Sequence, residues 1–205
     1  MATILVTGAA GFIGSHTTDL LLKANHRVVG VDNYRSGHRQ NLNDALEQGS
    51  FKLVEADVSA EGVLDRLVAE ERPDAVIHLA ALVSVQDSME DPALNYQLNV
   101  LATHRVAEAA RKGGVARVVF ASSAAVYGDT TDLPIDEVSE TRPISPYGGA
   151  KLASEAILLS HGSAFGFTVR CQRYFNVFGP RQDPASPYSG VISIFDRRYR
   201  EGKGV

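Results

Sequence analysis

Short apolar, β-branched runs alternate along the chain with longer stretches in which apolar side chains recur every three or four positions. The first pattern predicts strands over 3–7, 27–31, 51–55, 75–79, 117–121 and 168–173. The second predicts helices over 15–23, near 40–47, and over 60–70, 93–111 and 147–160. In the fourth of these Leu94, Leu98, Leu101, Val106 and Ala109 form a rough stripe, and Gly113-Gly114 stops it. Pro73-Asp74 ends the third, and Pro92 sits where a first helical turn tolerates it. Strand and helix alternate throughout, which demands right-handed crossovers and a mostly parallel sheet covered on both faces. The expected fold is therefore α/β, a doubly wound parallel sheet with ligand at the carboxyl ends of its strands. One connection, 128–146, is long for a compact domain, and that length predicts a functional role.

The first strand runs into Gly8-Ala9-Ala10-Gly11-Phe12-Ile13-Gly14. Gly8 suits a tight turn that penalises a Cβ, Gly11 lets a pyrophosphate approach the main chain, and Gly14 lets the helix pack close to its strand. The N–H groups that open the helix would then face the phosphates. The spacing is G-x-x-G-x-x-G, and three glycines alone fit a flexible turn equally well. A strand before, a helix after, and a second strand ending at Asp32 favour dinucleotide binding, with Asp32 on the adenosine ribose. Arg35, three residues on, is a group that could take a 2′-phosphate instead. Asp57, just past the third strand, reads either as a loop cap or as a neighbour of the adenine.

Tyr147 and Lys151 stand at i and i+4 and would share a helix face. A phenol acting as a base near neutral pH must lose about 3 units of pKa, or about 4 kcal/mol. An ammonium about 4 Å away at an effective dielectric near 20 supplies about that much. Ser123 closes the fifth strand at the rim where ligand should lie, and its hydroxyl could pass a proton to Tyr147. Taken alone, a Y-x-x-x-K pair reads as an exposed helix pair; behind a dinucleotide turn it reads as catalysis. His78 ends a strand and fits a satisfied rim or core histidine better than a base.

Bulk properties narrow the function. Over 205 residues, 44% apolar content and 21% charge are those of an ordinary globular protein. The net charge of −4 offers no basic field for nucleic acid or an anionic membrane. Cys171 is the single cysteine, so no internal disulfide can form, which suits a reducing, cytoplasmic setting. No apolar stretch reaches the roughly 18 residues of a membrane helix, and the N-terminus lacks the basic lead of a signal peptide. The other histidines lack the company of cysteines or paired carboxylates, so no metal site is expected. A hydrolase elbow G-x-S-x-G does not occur.

Jointly these motifs resemble the extended short-chain dehydrogenase/reductase family, within its NAD-dependent epimerase/dehydratase group. The likeness is carried by the glycine turn from Thr7, Asp32-Asn33, Asp57-Val58, His78-Leu79-Ala80-Ala81 and Asn99-Val100. It continues in Ser122 to Gly128, Ser145 to Lys151 and Arg173 to Arg181. The resemblance implies a Rossmann-type domain over 1–180 and the start of a truncated substrate-binding region over 181–205. It implies NAD lined by Phe12, Ile13, Asp32, Asn33, Asp57, Val58, Leu79, Ala80, Ala81 and Asn99, with Phe175 at the nicotinamide. Ser123, Tyr147 and Lys151 would be the catalytic set, and Asn176 would touch the sugar nucleotide. The segment Ser84 to Ser88 with Asp91-Pro92 resembles epimerases that also accept N-acetylated sugars, and puts Ser84 with the substrate residues.

The implied reaction is epimerisation at the 4-carbon of UDP-glucose, through a 4-keto sugar and with NAD regenerated in each cycle. Related 4,6-dehydratases carry a Thr followed by an acid after this strand; here Ala124-Ala125 follow Ser123. Relatives continue past a segment like 191–195 into a region holding most of the uridine diphosphate pocket. The chain is therefore expected to bind NAD more readily than it turns over a sugar. Two other readings remain: a catalytically silent NAD-binding module, and a different epimerase, dehydratase or reductase of the same group. By the same resemblance, the helices near 92–111 and from 147 would pair across a twofold axis in a homodimer.

Overall fold

The computed structural model describes residues 1–182 and 191–203. Six parallel strands form one sheet: β1 (Thr3–Thr7), β2 (Arg27–Asp32), β3 (Phe51–Glu55), β4 (Ala75–His78), β5 (Arg117–Ser123) and β6 (Thr168–Tyr174), in the order β3-β2-β1-β4-β5-β6. The helices are α1 (Phe12–Lys23), α2 (Asn43–Leu46), α3 (Val63–Glu71), α4 (Val85–Glu90), α5 (Pro92–Tyr96), α6 (Ala102–Gly113), α7 (Pro146–Phe165) and α8 (Val191–Arg200). The register sets Thr7 beside Val31 on one flank and His78 on the other. Order reverses at β1, so the ends of β1 and β4 open the crevice where ligands of such sheets lie.

Successive side chains of a strand point to opposite faces, and the core divides accordingly. Ile4, Val6 and Val28 pack with Leu22, Leu42 and Ala45 on one face. Leu5, Val29, Val31, Val76, Val118 and Phe120 pack on the other with Leu64, Leu67, Val106 and Leu158. The doubly wound sheet expected from the alternation is the one observed.

Several boundaries differ from the sequence reading, each for a local reason. Helix α1 begins at Phe12, because the glycine turn closes within Gly8 to Gly11. Helix α3 starts only at Val63, after Gly62 takes a left-handed conformation (φ 74°). The single helix expected over 93–111 is interrupted by a π turn, Gln97–Leu101, between α5 and α6. Helix α4 was not expected at all; the Ser84 side chain caps it by accepting from Asp87 N–H. Strand β5 extends through Ser123, and α7 runs to Phe165, where Gly166 (φ 82°) ends it. The expected second region, 181–205, falls partly on 183–190 and 204–205, outside the described residues. Among the described residues no helix is long and apolar enough to cross a membrane.

Candidate functional site

A cleft of about 680 Å³ lies along the carboxyl ends of the strands. Its floor is the glycine turn. Gly8 has φ 71°, and a Cβ there would stand 2.7 Å from the Ala80 nitrogen. A Cβ on Gly14 would come within 1.9 Å of the Gly8 carbonyl oxygen, so β1 and α1 meet at backbone distance. Gly8 and Ala9 N–H both donate to Val31 O, which ties the turn to β2. No side chain caps α1, so its first-turn N–H groups are left for a ligand, with the positive end of the helix dipole behind them. Gly11, Phe12 and Ile13 line the cleft beside them.

At the far end stands Asp32, 8% exposed. Its Oδ2 accepts from Ala10 N–H (2.9 Å) and its Oδ1 from Tyr34 N–H (2.8 Å), so the carboxylate is fixed with lone pairs to spare. Asn33, Asp57 and Val58 line the same end. Asp57 also accepts from Ser59 N–H (2.7 Å), so its side chain caps the loop while the residue lines the cleft. Leu79, Ala80 and Ala81 form the wall above the turn. Thr7 Oγ1 accepts from the N–H groups of both Leu79 and Ala80 (3.2 Å each), so its one proton goes to His78 Nδ1 (2.7 Å). His78 then donates from Nε2 to Thr103 (3.2 Å). Burial, with the nearby Lys151 charge, pushes His78 down to about 3. It is a neutral core histidine.

Ser123, Tyr147, Lys151 and Phe175 meet at the other end. Lys151 is 3% exposed; its Nζ donates to Ala121 O (2.8 Å), 4.8 Å from the centre of the Phe120 ring and 5.8 Å from that of Tyr147. Burial lowers Lys151 to about 7. Burial also raises Tyr147 above its ordinary value, opposed by hydrogen bonding with Ser123. The near-neutral phenol expected from the i, i+4 pair is thus not produced by these residues alone. One of the three N–H donors of the ammonium goes to a carbonyl, and desolvation penalises the charged form of both groups.

Three of the anticipated residues stand off the cleft. Asn99 lies in the π turn, 2% exposed, with its amide committed to Leu82 and Asn95. Ser84 is the buried cap of α4. Asn176 is exposed on the segment after β6. Other residues that were not singled out brace the site from outside its lining. Glu155, one turn past Lys151, accepts from Ser122 Oγ (2.5 Å) and from Arg173 Nη2 (2.8 Å). Arg173 Nη1 donates to Tyr127 Oη (3.0 Å), which donates to Asp136 O (3.0 Å), so this group pins the long 128–145 connection to β6. Phe175 stacks on Tyr127 at 6.4 Å. A buried acid on a helix and an arginine on a strand carry no local sign that they will pair.

Residues 4–205 match the NAD dependent epimerase/dehydratase family. The chain is 42% identical to the UDP-glucose 4-epimerase of Mycolicibacterium smegmatis over 97% of its length and 63% of that protein. Its fold superposes with TM-score 0.93 and 36% identity on a UDP-N-acetylglucosamine 4-epimerase from Methanobrevibacter ruminantium in complex with UDP-N-acetylmuramic acid, over 99% of this chain and 64% of that one. It superposes with TM-score 0.90 and 38% identity on the Thermus thermophilus UDP-glucose 4-epimerase in complex with NAD, over 99% and 64%. The chain thus spans a little under two thirds of these relatives.

Proposed function

Because the chain belongs to the NAD-dependent epimerase/dehydratase family, we propose that it is the coenzyme-binding part of an NAD-dependent nucleotide-sugar 4-epimerase that interconverts UDP-glucose and UDP-galactose. One observation carries the reading: a single cleft joins a backbone-lined glycine turn and a fixed carboxylate at one end to Ser123, Tyr147 and Lys151 at the other. The residues fit a dinucleotide. Gly8 and Gly14 let the turn, α1 and the Leu79–Ala80 peptide close at backbone distance, the first turn of α1 is uncapped, and Asp32 is placed to accept ribose hydroxyls, which favours NAD over NADP.

When bound, NAD would supply the acceptor for the hydride of the sugar 4-carbon, the donor that returns it to the opposite face and, in its oxidised form, a positive charge in the site. Tyr147 takes the proton of the sugar 4-hydroxyl, with Ser123 bonded to the same oxygen. The 4-keto sugar presents its other face, and Tyr147 returns the proton. Lys151 stands 5.8 Å from the centre of the Tyr147 ring, and the positive charge of the oxidised coenzyme would have to add to it before the phenol ionises near neutral pH; the walls of Leu79, Ala80, Ala81 and Phe175 exclude water. Asn176, exposed after β6 and off the cleft, would reach the sugar nucleotide only by the family resemblance, and Ser84 acts through its cap of α4. Asn99 supports the NAD wall from behind through Leu82.

A cytoplasmic setting and galactose metabolism accompany this reading. So does a homodimer through α5–α6 and α7, whose Tyr96, Leu101, Leu159 and Phe165 are exposed apolar side chains. The full-length protein saturated with NAD is expected to interconvert UDP-glucose and UDP-galactose, and to retain NAD through gel filtration. Failure with every UDP-hexose pair overturns the reading. The raised phenol favours one competing reading, a catalytically silent NAD-binding module; retained NAD without turnover would establish it.

A further inference from the structure

Helix α7 presents Tyr147 in its first turn, where backbone N–H groups lack partners inside the helix and the chain frays. Ser145 Oγ accepts from Gly148 N–H (3.1 Å) but leaves the Tyr147 N–H open. That N–H donates instead to Ser88 Oγ (3.1 Å), and Ser88 passes its own proton to Val85 O (2.6 Å). On the acceptor side, Pro146 O receives Asn95 Nδ2 (3.0 Å). Asn95 Oδ1 accepts from Asn99 Nδ2 (2.7 Å), and Asn99 holds Leu82 through both its N–H and its carbonyl. Ser88 and Asn95 are fully buried and Asn99 nearly so. The peptide joining Pro146 to Tyr147 is therefore gripped on either side from α4 and α5.

We infer that Ser88 and Asn95 are positioning residues that fix the Tyr147 phenol against Lys151 and Ser123, and that the α4–α5 excursion serves this purpose. The inference rests on Tyr147 being the base. Its physical content is geometric. The Ser123 hydroxyl from β5 hydrogen-bonds the phenol, and the Lys151 ammonium on its own helix stands 5.8 Å from the centre of its ring; the strength of both contacts falls with distance. A first turn free to shift by about 1 Å loses catalytic alignment by up to about 100-fold. Gly8 and Asp32 are held by Val31, Ala10 and Tyr34 rather than by Ser88 or Asn95.

The test is the ionisation of Tyr147 in the NAD-loaded protein, followed by ultraviolet phenolate absorbance with Tyr147→Phe as the blank. Ser88→Ala and Asn95→Leu each remove one of the two hydrogen bonds that hold the Pro146–Tyr147 peptide, and each a second bond besides, from Ser88 to Val85 and from Asn99 to Asn95; both are expected to raise the phenolate midpoint by about one unit, with NAD affinity in Ser88→Ala changed by less than about twofold. An unchanged midpoint in both variants overturns the inference, as does an NAD affinity in Ser88→Ala that falls in step with the midpoint. Should either variant not fold, amide exchange in the unaltered protein decides. A protected Tyr147 N–H supports the grip, and exchange at the rate of an open first-turn amide refutes it. If the midpoint moves as expected while the full-length protein interconverts no sugar, the epimerase reading fails and this one stands.

Discussion

Tyr147 and Lys151 are four residues apart on one helix, yet each is moved by burial away from its charged form. Replacing Tyr147 by Phe is expected to lower turnover of the full-length protein by about 10²–10⁴-fold, the range for a positioned acid–base group. NAD affinity stays near its original value, checked by fluorescence titration. Lys151 leaves a mark on stability as well. Its folded pKa of about 7 lies below the 10.5 of the unfolded chain. Between these values the unfolded state holds a proton that the folded state has released, so stability rises with pH. From pH 7 to 9 the gain is about 2 kcal/mol by linkage, read as a rise in urea midpoint that Lys151→Met abolishes. Above pH 9 the sign turns, because burial raises Cys171, Tyr147 and Tyr174. The i, i+4 spacing made the pair legible in the sequence. Its electrostatics were not legible, since they depend on which carbonyl the ammonium finds, and Ala121 is 30 residues away.

At the scale of elements, the meeting of β1 with α1 is the tightest constraint. Gly14→Ala would force a methyl onto the Gly8 carbonyl. It is expected to destabilise the fold by about 1–3 kcal/mol, as overpacking does, and to abolish NAD binding, both measurable by denaturation with and without coenzyme. Gly11→Ala, whose Cβ would meet only the Gly8 oxygen at 3.3 Å, should be milder. Strands were legible because six β-branched runs are bounded by breakers. The region 84–101 was not. The apolar stripe over 93–111 gives one helical period, whereas the structure places α4 ahead of that stretch and divides the stretch itself into α5, a π turn and α6. The division follows from side-chain caps, Ser84 for α4 and Asp91 for α5, and from the bonds of Asn95 and Asn99 to distant segments. Periodicity cannot register such contacts. Asn99 was chosen by likeness alone, and its side chain turned out to be engaged with Leu82 and Asn95.

For the whole molecule, the sheet order brings both ends of the cleft onto one rim, so coenzyme binding should stabilise the chain globally. At NAD one hundred times its dissociation constant the expected gain is about 2.7 kcal/mol, observed as a higher melting temperature that Gly14→Ala does not show. The doubly wound architecture was legible from alternation alone; the closure of the cleft was not. It relies on residues far apart in sequence, such as Arg181 paired with Asp19 (2.7 Å) and Pro180 O bonded to His16 (2.8 Å), which fold the segment after β6 back over α1. Central placement of the first strand has a further outcome during synthesis. Of the six strands of this sheet Thr3–Thr7 leaves the ribosome first, but its second neighbour ends at His78. Until that residue has been translated, the nascent chain carries a half-paired apolar ribbon, and the nucleotide cradle lacks the peptide of Ala80 that completes it.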